Sequence, residues 1–137
     1  MVIPRPVRAL PLLACLALGG CYHSTLVELR ESPPTRTAIV PSTSYQTLAG
    51  CVLRRLEESK NMAALTARYR FFERPELKMV SIVGSTAMGT DVGWFLEAKF
   101  QEHDAVSVSV ETRKGSWVIG SQSEPVAWDA VSLCTGR

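Results

Sequence analysis

"VGWFLEAKFQEHDAVSVSV", residues 92–110, decides the fold. In its first half Val92, Trp94, Leu96, Ala98 and Phe100 stand at alternate positions, so an extended chain turns them all to one face. In its second half valine and serine alternate from Val106 to Val110, valines to one side and serines to the other. A period of two marks strands with one face covered and one face wet, the habit of antiparallel sheets.

Further strands lie on either side. "ARYRF" at 67–71 and "LKMVSIV" at 77–83 have strand composition, and "ERPE" at 73–76 turns the chain between them. "GSTAMGTD" at 84–91 reads as a long hairpin loop with Met88 at its tip, a candidate partner contact. It lacks the Lys-Ser/Thr ending of a phosphate loop and joins two strands instead of opening a helix. "RKGS" at 113–116 turns the chain into a short last strand at Trp117–Ile119. Phe72 and Phe95 fall on the face opposite the core, where aromatics mark either an interface or a docked segment.

Two helices bracket these strands. Tyr45, Leu48, Ala49, Val52 and Leu56 recur at helical spacing, with Thr43 and Gln46 placed for a capping box. At the other end Ser123 is positioned to cap, Pro125 suits a first turn, and Gly136 stops the helix. The expected fold class is α+β over residues 44–137. It is an antiparallel four- to five-stranded sheet with the N- and C-terminal helices packed on one face.

Residues 21–43 have a linker composition, broken by Pro33, Pro34 and Pro41. As a free coil such a segment averages roughly 25 Å end to end. The alternative is an edge segment that lays Leu26, Val27, Ile39 and Val40 against the domain.

Residues 1–20 carry Arg5 and Arg8, then the apolar run Ala9–Leu18. That run is long enough for an export signal and short of the roughly 20 residues a spanning helix needs. "LGGC" at 18–21 resembles the lipobox of bacterial lipoproteins, an aliphatic residue and two small ones before a lipidated cysteine. The resemblance implies acylation at Cys21, anchorage to the lipid bilayer, and, with Tyr22 following, the outer membrane facing the periplasm. "LLAC" at 12–15 has a similar form, but cleavage there leaves too short an apolar run. Two or three acyl chains hold a protein stably on a membrane, because each buried methylene contributes about 0.8 kcal/mol.

Export bears on the remaining thiols. Cys51 and Cys134 fall on the two predicted helices, and an oxidising compartment favours a disulfide between them. The other reading is a nucleophilic Cys51 served by His103. Two histidines, one of them in the linker, are too few for a metal site, and no cofactor is expected. Without residues 1–20 the chain has thirteen basic and thirteen acidic residues, so it lacks the charge that nucleic-acid binding requires.

"Tyr45…Leu48-Ala-Gly-Cys51", glycine-containing hairpins and a cysteine near the C-terminus resemble a group of small, uncharacterised proteobacterial lipoproteins. The layout is also similar to the helix-grip modules of the lipoprotein C subunit of the outer-membrane β-barrel assembly machinery. These resemblances imply a non-enzymatic envelope module that meets a protein partner or the cell wall. The alternatives are a small periplasmic hydrolase and an inhibitor of a lytic enzyme.

Overall fold

The computed structural model describes residues 25–42, 44–59, 67–88, 91–115 and 118–136. Its centre is a meander of four strands: β2 (Ala67–Arg74), β3 (Met79–Met88), β4 (Asp91–Asp104) and β5 (Ser107–Lys114). β1 (Arg36–Pro41) adds to the far edge beside β5, giving the order β1-β5-β4-β3-β2 with every neighbour antiparallel. The fold is therefore α+β with a five-stranded sheet, as the alternation predicts.

The fifth strand is not the one expected. Val118 and Ile119 open the last helix, and β1 takes the fifth place. Short β-branched runs do not distinguish a strand from a buried helix, and here Ile119 is packed among core residues. The turn expected at 113–116 is correspondingly displaced, because β5 continues through Lys114.

Two long helices cover one face of the sheet, α2 (Tyr45–Glu58) and α3 (Val118–Cys134). Tyr45, Leu48, Ala49, Val52 and Leu56 are all buried, the stripe read from the sequence. They meet Val80, Ile82, Leu96, Ala98, Phe100, Val108 and Val110 from the sheet and Ala127, Trp128, Ala130 and Val131 from α3. The N-cap of α2 is Ser44, whose side chain accepts from the N–H of Thr47; the expected cap, Thr43, lies outside the described residues. Pro125 sits well inside α3, because that helix begins five residues before Ser123. Gly136 ends the chain's last turn at φ +75°, a left-handed conformation that suits glycine.

Cys51 and Cys134 form a disulfide that joins α2 to α3, with Cα atoms 6.0 Å apart and a sequence separation of 83. The bond fixes the two helices to each other on the core side of the sheet.

Residues 25–42, expected as a free tether, belong to the fold. Leu26–Glu31 form a short helix, α1, opened by a true capping box: Thr25 accepts from the N–H of Glu28, and Glu28 accepts from the N–H of Thr25. The chain then runs into β1, where Pro41 is tolerated because it closes an edge strand. The docked alternative is correct for Leu26 and Val40, while Val27 and Ile39 face solvent. A six-residue helix has no stability of its own, so α1 exists because it is packed.

One irregularity changes which residues form the core. Pairing passes from Gly84↔Leu96 to Ser85↔Trp94, leaving Phe95 as an extra residue on β4. Such a bulge shifts the alternation by one. Phe95 is consequently buried at 1% exposure, against the expectation of an outward face, while Val92 is 53% exposed. Glycine at 84 makes the room: a Cβ there would lie 2.7 Å from the Phe95 ring. The loop expected at 84–91 is also mostly strand, since β3 runs to Met88 and pairs with β4 throughout.

Candidate functional site

The sheet face opposite the long helices is organised in cross-strand rows. One row reads Arg70, Val83, Glu97 and Arg113 across β2, β3, β4 and β5. A second reads Phe72, Ser81, Lys99 and Glu111, and a third, past the bulge, reads Arg68, Ser85 and Trp94. This face is far more polar than the other, and α1 lies across part of it.

Glu97 is the pivot. Its side chain is only 5% exposed, yet it accepts from Arg30 Nε of α1 at 2.8 Å and has Arg113 Nη1 at 3.8 Å. Arg113 Nε donates to the carbonyl of Ser32 at 2.9 Å, just past the end of α1. Arg113 Nη1 also reaches Glu111 Oε2 at 3.3 Å, and Lys99 Nζ meets that oxygen at 2.9 Å. The Lys99 hydrogen bond is the main reason the Glu111 carboxyl is held below its usual range, with Arg113 adding and partial burial opposing. That contribution to stability is present above the usual carboxylate pKa and lost as pH falls through the lowered one. Leu29 of α1, 2% exposed, supplies the apolar part of this contact, and Val83 beneath is fully buried. Together these groups clamp the N-terminal segment onto the sheet.

Beside the clamp the face is open. A hollow of about 580 Å³ is lined by Arg68, Arg70, Ser85, Thr86, Ala87, Val92 and Trp94. Arg68 and Arg70 are exposed and make no ion pair among the described residues. Trp94 is half-buried, and Val92 stands free at the rim. Two unpaired guanidiniums beside an indole form a surface for an anion joined to an apolar or planar group. A smaller groove of about 240 Å³ runs between α2 and α3 past Arg55, Glu58 and Asp129, and carries charges of both signs.

The residues singled out in the sequence fall in different places. Cys21 lies outside the described residues. Cys51 and Cys134 are joined as a disulfide, so Cys51 has no thiolate to offer His103, which is exposed at the end of β4. Met88 is the last residue of β3 and not a loop tip. Phe72 is 39% exposed on the polar face, with the Arg30 guanidinium 5.8 Å above its ring. It thus marks a docked segment. Phe95 belongs to the core, where it meets Tyr69 edge to face at 5.9 Å; burial raises the Tyr69 phenol pKa, with the Ser123 hydroxyl opposing.

The sequence reading missed the clamp and the hollow. Thr25-x-x-Glu28 was the available signal for α1, and Gly84 inside a strand pattern was the signal for the bulge that turns Trp94 outward. Among the described residues no helix is long and apolar enough to cross a membrane, and no group of three or more His, Cys, Asp or Glu could hold a metal ion. No protein-family model matches the chain, and no curated protein matches it.

Proposed function

We propose that the chain is an exported lipoprotein, anchored through acylated Cys21, whose domain is a non-enzymatic binding module of the bacterial envelope. The observation that carries this reading is the Cys51–Cys134 disulfide. A bond that staples the two long helices needs an oxidising compartment, and the lipobox-like residues 18–21 supply the route to one. The same bond removes the thiol on which the cysteine-hydrolase alternative depended. Outer-membrane placement rests on Tyr22 alone and follows the resemblance.

Fractionation of cells fed labelled palmitate tests the reading. Wild-type protein is expected in the membrane fraction with label; Cys21→Ala is expected to lose the label and to leave the membrane or stall unprocessed. Label retained in that variant refutes acylation at Cys21 and points to Cys15.

A further inference from the structure

We infer that the hollow of Arg68, Arg70 and Trp94 is a contact site for anionic phospholipid headgroups, and that the polar sheet face lies against the bilayer. The inference rests on acylation at Cys21. Only four chain steps separate Cys21 from Thr25, the N-cap of α1. Fully extended, they span about 14 Å. The leash expected at roughly 25 Å or more is thus replaced by one that starts on the polar face itself.

The geometry leaves little choice of orientation. The sheet and the helical layer are separate layers with axes about 10 Å apart, so reaching the membrane from behind the helices would need a longer leash. A six-residue helix spans about 9 Å, which keeps its start close to Arg30 and so to Glu97 on the polar face. Arg70 stands in the same cross-strand row as Glu97, and Arg68 and Trp94 in the next row along.

The chemistry of the hollow fits an anionic bilayer surface. Arg68 and Arg70 offer fork-shaped donors for phosphate, and no acid among the described residues neutralises them. Trp94, half-buried, and Val92, 53% exposed, suit the headgroup boundary, where an indole places its ring among acyl chains and its N–H in the polar layer. In the clamp Arg30, Arg113 and Lys99 share Glu97 and Glu111 and keep one net positive charge, while Arg68 and Arg70 add two that no acid among the described residues pairs.

The test uses the full acylated protein reconstituted in vesicles, with quenching of tryptophan fluorescence by brominated lipid as the readout. Acylation is verified first by mass; its absence refutes the anchor reading and leaves no reason to place the hollow at a membrane. With acylation present, quenching is expected to be about twofold greater in vesicles containing phosphatidylglycerol than in phosphatidylcholine alone. The excess is expected to vanish in Trp94→Phe, in Arg68→Gln/Arg70→Gln, and at about 0.5 M salt, where screening shortens to a few ångströms. Equal quenching in both vesicle types, or an excess that survives the double arginine variant, overturns the inference while leaving the anchor intact. So does inorganic phosphate that abolishes the excess at constant ionic strength, because the site would then be one for free phosphate.

Discussion

Glu97→Ala is the sharpest test of the clamp that holds the N-terminal segment. Removing one partner of a buried ion pair costs about 3–5 kcal/mol when the other charge is left stranded. Neither arginine is stranded here. The Arg30 side chain is 46% exposed and rehydrates, while Arg113 keeps Glu111 at 3.3 Å and the carbonyl of Ser32 at 2.9 Å. The loss therefore falls to about 2 kcal/mol, within the range of a hydrogen bond to a charged group. Detachment of α1 exposes the peptide bond after Arg30 to trypsin. When opening is fast relative to cleavage, 2 kcal/mol corresponds to cleavage about thirtyfold faster at that site. Urea unfolding is expected to show the same loss, and a double-mutant cycle with Arg30→Ala a coupling of about 1 kcal/mol. Cleavage within about twofold of wild type, with no coupling, would refute the clamp.

The remaining predictions concern the opposite side of the sheet. A disulfide closing a loop of 83 residues contributes about 4.5 kcal/mol in the chain-entropy account, so reduction is expected to lower Tm by about 15–20 °C by calorimetry, and native protein to show no alkylatable thiol at Cys51 or Cys134. A shift under about 5 °C counts against that account. Gly84→Ala forces a methyl to within 2.7 Å of the Phe95 ring and 3.0 Å of Tyr69, and is expected to cost about 2–3 kcal/mol in urea unfolding, partly restored by Phe95→Leu; an unchanged midpoint would mean the ring moves aside freely.

How much was legible follows from where local pattern and tertiary packing agree. Leu96, Ala98 and Phe100, with Val108 and Val110, alternate in sequence and in space because that stretch of the sheet is regular. The stripe of α2 was equally plain, since one face of that helix meets one continuous core. The alternation failed at Phe95, where a single inserted residue reversed the sides of everything before it on β4. Residues 25–42 were misread for a different reason. Pro33, Pro34 and Pro41 punctuate a segment whose two pieces are each too short to declare themselves, and partners distant in sequence hold both: Glu97 is 67 residues from Arg30. The clamp and the hollow were invisible because they are products of strand register, which sets Arg70, Glu97 and Arg113 in one cross-strand row from three different strands, with Val83 between the first two.

The two faces of the sheet meet different demands by different chemistry. The helical face is apolar and stapled by a disulfide, and its polar exceptions are satisfied locally, as where Trp128 Nε1 donates to Thr112 Oγ1 at 2.9 Å and Thr112 Oγ1 donates to Glu124 Oε2 at 3.1 Å. Burial there is the source of stability. The other face is held by ions, whose attraction in a half-hydrated setting is weaker and more easily traded for contact with another charged surface. Glu97 and Glu111 offset two of the three charges of Arg30, Arg113 and Lys99, whereas Arg68 and Arg70, on the edge strand and outside those ion pairs, retain theirs. Positive charge left over beside an outward-turned indole, on the face from which the N-terminal segment departs, is what a domain held close to an anionic surface needs. The bulge at Phe95 is its structural cause, because without that one extra residue Trp94 would point into the core.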